Sequence, residues 1–156
     1  MLYEYNNVKR RCITSARDAL NGYQKGKCFY CFSDISVNSS DSDLCDIDHF
    51  FPHTLQSKMP NVNLDGVWNL VLACKNCNRG TDGKSARIPA IKYLERLYKR
   101  NEFLITSHHP LRETLIAQTG STPEQRHKFL ADIDAIAINY LVHRWDTDPV
   151  TDEEPF

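Results

Sequence analysis

The chain of 156 residues has no stretch approaching the roughly 18 consecutive apolar residues of a membrane span, and a spanning helix is therefore not expected. Its first residues, MLYEYNNVKRR, lack the apolar core of a signal peptide, so the protein is read as intracellular and cytoplasmic. Internal repeats and low-complexity blocks are also missing, and the length suits one domain with at most a small appendage. There is no large excess of one charge either. The net value is −1, which alone argues nothing for a nucleic-acid partner. What remains is ordinary for a globular protein: 41% hydrophobic and 25% charged residues.

The distribution of charge says more than its sum. Residues 1–100 hold 15 Lys and Arg against 10 Asp and Glu, whereas residues 101–156 hold 4 against 10. A basic front and an acidic back is the asymmetry expected when one face meets a polyanion.

Six cysteines in an intracellular chain argue against a disulfide scaffold. Cys12 and Cys45 read as buried small hydrophobes, one in a helix and one in a strand. The other four form two C-x-x-C turns, Cys28/Cys31 and Cys74/Cys77, separated by 42 residues. Each turn brings two sulfurs close, and Zn²⁺ takes four thiolates at about 2.3 Å, so the two turns suit one structural zinc. The alternative is a thioredoxin-like redox pair. It predicts a single C-x-x-C between a strand and a long helix, and leaves the second pair unexplained.

Residues 6–21 read as a helix that Gly22 ends in a left-handed cap. KCFYCFSD is a tight turn whose aromatics shield a metal or fill the core. LCDIDHF alternates as a short strand. A long loop with turn residues at Asn61, Asn63 and Asp65 follows, then VWNLVLAC as a second strand and a short helix after Cys74, a ββα order. Pro89 is read as opening a helix with Ile91, Leu94, Leu97 and Tyr98 on its apolar face and Lys92, Arg96, Lys99 and Arg100 largely off it. Pro110 opens another, stopped by Gly120. Thr122 and Gln125 have capping-box spacing. The helix they start is expected to run to about Trp145, with a stripe of Phe129, Leu130, Ile133, Ile136, Ala137, Tyr140 and Leu141. His108 and His109 read as a loop cap. The tail DTDPVTDEEPF is expected to be disordered or bound to a partner.

The combination of DIDHFFPH, WNLVLACKNCNRG and GKSARIP with the two knuckles resembles the HNH endonucleases, over about residues 28–89. The resemblance implies an α+β fold: a small ββα-metal core with a structural zinc, flanked by an N-terminal helix and a C-terminal group of helices. The corresponding divisions are 1–27, 28–89, 90–145 and an acidic tail, 146–156. It further implies that His49 is the general base, that Asp48 and Asn78 hold a single catalytic Mg²⁺ or Mn²⁺, and that Asn69 braces the loop and orients the histidine. Physical chemistry agrees: a neutral imidazole accepts a proton near neutral pH, and a carboxylate with an amide oxygen suits a hard cation. Ni²⁺ is a further option for such donors. Asp46 shares a strand face with Asp48 and supports the site on this reading. Arg79, Lys84 and Arg87 are candidate phosphate contacts, and His53 a contact to phosphate or metal. Relatives often reach a lysine sooner after Cys-Asn-Arg; here Thr81-Asp82-Gly83 intervenes before Lys84.

The functional expectation is a DNA-cleaving enzyme with little base preference, since no base-reading element is recognisable. Small HNH chains of this kind resemble effectors of bacterial phage-defence or restriction systems. The acidic region 101–156 would then dock an ATPase or sensor subunit, or a second copy. Two other readings are a non-catalytic zinc module that binds nucleic acid or protein, and an RNA-cleaving toxin. A pure zinc module has no need of the His49/Asn78 pair.

Overall fold

The computed structural model describes residues 16–156. Cys12 and the first part of the expected N-terminal helix lie outside the described residues. The chain divides into two compact units. One comprises the segments up to Asp48, Val71–Asp82 and Thr147–Phe156; the other comprises His49–Leu70 and Gly83–Asp146.

In the first unit, residues 16–24 are helical (α1). The helix runs past Gly22. The positive backbone angles fall at Lys25 (φ 54) and Gly26 (φ 75), where the Lys25 and Gly26 N–H groups donate to Asn21 O and Asn21 Oδ1. The reversal therefore belongs to Lys25-Gly26, with the Asn21 side chain capturing an amide that the helix leaves over. The first knuckle follows as a tight turn, with Cys28 N–H on Ser33 O (2.8 Å) and Phe32 N–H on Cys28 O (3.1 Å). Gln24 is fully buried and clamps Leu72: its Nε2 donates to Leu72 O (2.8 Å) and its Oε1 accepts from Leu72 N–H (2.9 Å).

Strand β1 is Asp46–His49 and strand β2 is Leu70–Ala73; they pair in a two-stranded sheet. Every residue of β2 is buried, as its continuous apolar run predicts. Helix α2, Lys75–Arg79, follows at once. Strand, strand and short helix thus appear in the expected order, in an α+β chain.

The tail, expected to be disordered or bound to a partner, packs within the first unit. Val150 N–H donates to Cys31 O at 2.8 Å, and the Phe156 ring lies 5.2 Å from Tyr23 and 5.3 Å from Phe32 between centroids. An aromatic residue at the end of an acidic segment supplies the apolar area that a charged tail lacks.

The second unit holds two 3₁₀ turns, His53–Lys58 and Val67–Asn69, and the helices α3 (Ile91–Thr106), α4 (Arg112–Thr119) and α5 (Pro123–Tyr140). Trp68, Leu97 and Leu115 are fully enclosed in its core. Ile88–Pro89 forms β3, paired in parallel with Arg144–Trp145, β4.

This pairing corrects two expectations. Pro89 sits in a strand, where its missing N–H is harmless at an edge, and α3 begins at Ile91. Helix α5 ends at Tyr140, not near Trp145. Arg144 and Trp145 turn extended because Ala90 N–H donates to Trp145 O (2.8 Å) and the Arg144 guanidinium grips Asp134 (2.7 and 3.0 Å). The buried face of α3 also differs from the expected stripe. Ile91 is exposed, while Tyr93, Arg100 and Asn101 join Leu94, Leu97, Leu104 and Ile105 inside. The capping box at Thr122 and Gln125 is present, and Gly120 (φ 138) follows α4.

Candidate functional site

The four knuckle cysteines, distant in sequence, converge in the first unit with all sulfurs within 4.8 Å of one another. Tetrahedral coordination at a Zn–S distance of about 2.3 Å separates the sulfurs by about 3.8 Å. Cys31 Sγ and Cys74 Sγ are 3.8 Å apart. Backbone N–H groups already point at the sulfurs: Cys74 N–H at Cys28 Sγ (3.3 Å), Cys77 N–H at Cys74 Sγ (3.4 Å) and Ser33 N–H at Cys31 Sγ (3.4 Å). Such donors offset thiolate charge.

The crowding splits the thiols. Hydrogen bonding from Cys28, foremost, lowers Cys31 to about 6 and also lowers Cys74, while bonding to Cys31 raises Cys28 and bonding to Cys28 raises Cys77. Thiolate ligation requires these thiols to lose their protons, so metal binding at the cluster is coupled to proton release. The donor set and spacing fit a structural zinc. Cys45 is buried immediately before β1, and burial raises its thiol.

Beside the knuckle, α2 carries Asn78 and Arg79 to β1. Cys74 caps the helix and Asn78 N–H bonds Cys74 O at 3.1 Å, so the second knuckle sets where Asn78 starts. Asn78 Nδ2 donates to Asp46 Oδ2 (3.0 Å), and the exposed Arg79 guanidinium forms an ion pair with the same carboxylate (3.0 Å). Committing Nδ2 to Asp46 turns the carboxamide so that Oδ1 is the atom left for a cation. Asp48 is buried, and Tyr30 Oη–H donates to its Oδ2 at 2.6 Å. Burial, and then the charge of Asp48, push the Tyr30 phenol up, so it stays a proton donor. Tyr30 escaped the sequence reading as a partner of Asp48; only its place inside the CFYC turn marked it.

The remaining sequence-predicted residues belong to the second unit. Asn69 is fully buried and spans the loop that follows His49. Its Oδ1 accepts from Phe51 N–H (2.8 Å), and its Nδ2 donates to Phe51 O (3.0 Å) and Leu64 O (2.9 Å). Phe50 N–H adds a bond to Asn69 O at 2.8 Å. His49 Nε2 meets Asp65 Oδ1 at 2.8 Å, and His53 Nδ1 meets the same oxygen at 3.2 Å.

Asp65 was legible in the sequence only as a turn residue. The turn is real: Asn63 Oδ1 accepts from Asp65 N–H at 3.1 Å. That bond helps fix where the carboxylate stands, and its contacts to His49 and His53 come from a distant part of the chain. Lys84, expected as a phosphate contact, is wholly enclosed, and its ammonium donates to His49 O at 2.9 Å. In this structure it is an internal brace for the backbone of His49. Arg87 is exposed and bonds Gly83 O and Lys84 O.

The four knuckle cysteines are compatible with a structural zinc, and β1 ends on the Asp48-His49 dipeptide. Residues 28–90 match the model of the HNH endonuclease family. HNH domains are nuclease domains that act on nucleic acid and generally use a divalent metal. No curated protein and no solved structure matches the chain. Among the described residues no helix is long and apolar enough to cross a membrane.

Proposed function

We propose that the protein is a metal-dependent endonuclease that hydrolyses phosphodiester bonds of DNA, with His49 as general base. The observation that carries this reading is the HNH match over residues 28–90 together with His49 held on an ionisable partner. With Asp65 ionised, its Oδ1 accepts the Nε2–H of His49 at 2.8 Å. That bond selects the tautomer with a lone pair on Nδ1, and Nδ1 is the atom that takes the proton of the attacking water. Lys84 and Asn69 hold the backbone on which the imidazole is carried, through His49 O and the loop at Phe51.

Asp48 and the carboxamide oxygen of Asn78 are the donors for a hard divalent cation, Mg²⁺ or Mn²⁺, which when bound neutralises phosphate charge and stabilises the departing oxygen. Tyr30 orients Asp48 by holding one carboxylate oxygen, and Asp46 does the same for Asn78 through Nδ2. Arg79 and Arg87, both exposed, supply phosphate affinity without reading bases.

The biological setting that fits is an effector of a bacterial phage-defence or restriction system. The acidic second part of the chain, including α5 with Ile136 and Tyr140 exposed, would face a partner ATPase or sensor, or a second copy. Incubation with supercoiled plasmid and Mg²⁺ or Mn²⁺ tests the activity. Wild type nicks and linearises the plasmid, and His49→Ala lowers the rate at least a hundredfold. Equal nicking by the two proteins refutes the assignment. Labelled duplex DNA, single-stranded DNA and RNA, compared in parallel, decide the substrate.

A further inference from the structure

Asp65 Oδ1 receives two imidazole nitrogens at once, His49 Nε2 at 2.8 Å and His53 Nδ1 at 3.2 Å. The two rings stand edge to face, 5.5 Å between centroids, and the three ligand atoms lie within 4.8 Å of one another. One carboxylate oxygen between two imidazoles is more than an orienting contact for a single base requires. All three residues belong to the same compact unit. Their backbones are fixed independently: His49 by Lys84 on its carbonyl, His53 as the first residue of the 3₁₀ turn after Pro52, and Asp65 by the Asn63 side chain.

We propose that His49, His53 and Asp65 form a second metal site, one for a borderline divalent cation such as Zn²⁺, Co²⁺ or Ni²⁺, and that its occupation switches the nuclease off. Two imidazoles and one carboxylate are the donors such ions prefer, with the fourth position left to water. At bond lengths of about 2.0–2.1 Å, tetrahedral ligand atoms stand about 3.3–3.4 Å apart, so closing around an ion needs only small rotations of the side chains. Mg²⁺ is a poor competitor here, because it favours oxygen ligands and gives up its waters reluctantly. Asp48 and Asn78 offer oxygen, while this site offers mostly nitrogen, and the two sites therefore sort metals by hardness.

The inhibition follows from the tautomer. The ion takes the lone pair at His49 Nε2, so the ring proton moves to Nδ1. A neutral imidazole bound through Nε2 has no lone pair on Nδ1 and cannot accept a proton from water. The binding stands on the geometry alone; the inhibition rests on His49 being the general base.

Two measurements on the full chain, with zinc already filling the four-cysteine site, separate these. The first is titration with Co²⁺, followed by visible absorption. Wild type takes up one equivalent, with d–d bands and without thiolate-to-cobalt charge transfer. His53→Ala and Asp65→Asn each weaken that uptake at least tenfold, while circular dichroism confirms that both remain folded. Uptake of equal affinity in all three proteins, or no stoichiometric uptake in wild type, overturns the site. The second is plasmid cleavage in excess Mg²⁺, with and without added Zn²⁺, each protein being compared with itself. Zinc lowers the wild-type rate at least tenfold and the His53→Ala rate less than twofold. Zinc-insensitive cleavage by a wild type that binds Co²⁺ overturns the switch. If wild type cleaves no nucleic acid, the nuclease reading and the switch both fall, and the cobalt titration still decides the metal site.

Discussion

At the scale of single residues, the loop after His49 depends on one amide. Asn69 satisfies three backbone groups that no solvent reaches: Phe51 N–H, Phe51 O and Leu64 O. Removing a partner from a buried polar group costs about 1–3 kcal/mol for each group left unsatisfied, partly offset where the loop relaxes. Asn69→Ala should therefore lower stability by about 2–4 kcal/mol, read as a fall in the urea midpoint with an unchanged slope. Asn69→Asp should be worse. It keeps the acceptor for Phe51 N–H but sets carboxylate oxygen against two carbonyls. A loss in Asn69→Ala below about 0.5 kcal/mol would show that the loop is held by something else. Arg100 illustrates the same logic on a larger side chain: fully buried on α3, it donates to Leu70 O (2.8 Å) and to Val67 O and Trp68 O (3.2 Å each). These carbonyls, with Asn101 Oδ1 accepting from Nε at 2.9 Å, offset the cost of holding a charge inside.

At the scale of elements, local chemistry can be weighed directly at the start of α5. Thr122 Oγ1 accepts from Gln125 N–H at 3.2 Å, and Gln125 Oε1 accepts in return from Thr122 N–H at 3.3 Å. Thr122→Ala removes the first bond and weakens the second, and should cost about 1 kcal/mol. A matching drop in thermal midpoint, restored by Thr122→Ser, checks this; no drop would mean that α5 is held by its buried face alone. This cap was legible in the sequence because its partners lie three residues apart. The knuckles were legible for a related reason, since metal chemistry demands fixed residue types at short spacing. The ends of α3 and α5 were not legible, because a two-residue pairing of Ile88–Pro89 with Arg144–Trp145, far apart in the chain, overrides helical periodicity. The same limit hid Tyr30, Asp65 and Lys84. A tyrosine between cysteines, an aspartate in a turn and a lysine after a glycine have unremarkable neighbours in sequence. Their partners, Asp48, His49 and His53, and the His49 carbonyl, are reached only through the tertiary fold. Lys84 reads as a surface cation until its burial is seen, and Arg100 reads as solvent-facing for the same reason.

At the scale of the whole molecule, metal and fluorescence divide along the same line. Among the described residues every cysteine falls in the first unit, and both tryptophans, Trp68 and Trp145, fall in the second. The first unit is assembled from three separate stretches of chain. Its elements are short, with three residues of each of β1 and β2, a five-residue helix α2 and a packed tail besides α1. Most of what holds them together should be the four thiolates on zinc, whose binding free energy is then folding free energy. The second unit has three helices, a fully enclosed Trp68 and a buried Arg100 network, and needs no cysteine. Stripping zinc with a strong chelator, or substituting Cys77→Ser, should therefore unfold the first unit selectively. Amide hydrogens of residues 27–48 and 71–82 would lose protection, while α3 and α5 keep theirs and tryptophan emission stays blue-shifted. Because thiolate ligation is lost as thiols protonate, acid should mimic the chelator in its first effect. Simultaneous loss of protection in both units, with a red shift of tryptophan, would mean that zinc supports the entire chain. Full protection after verified removal of the metal would mean that the cysteine cluster holds its shape by packing alone.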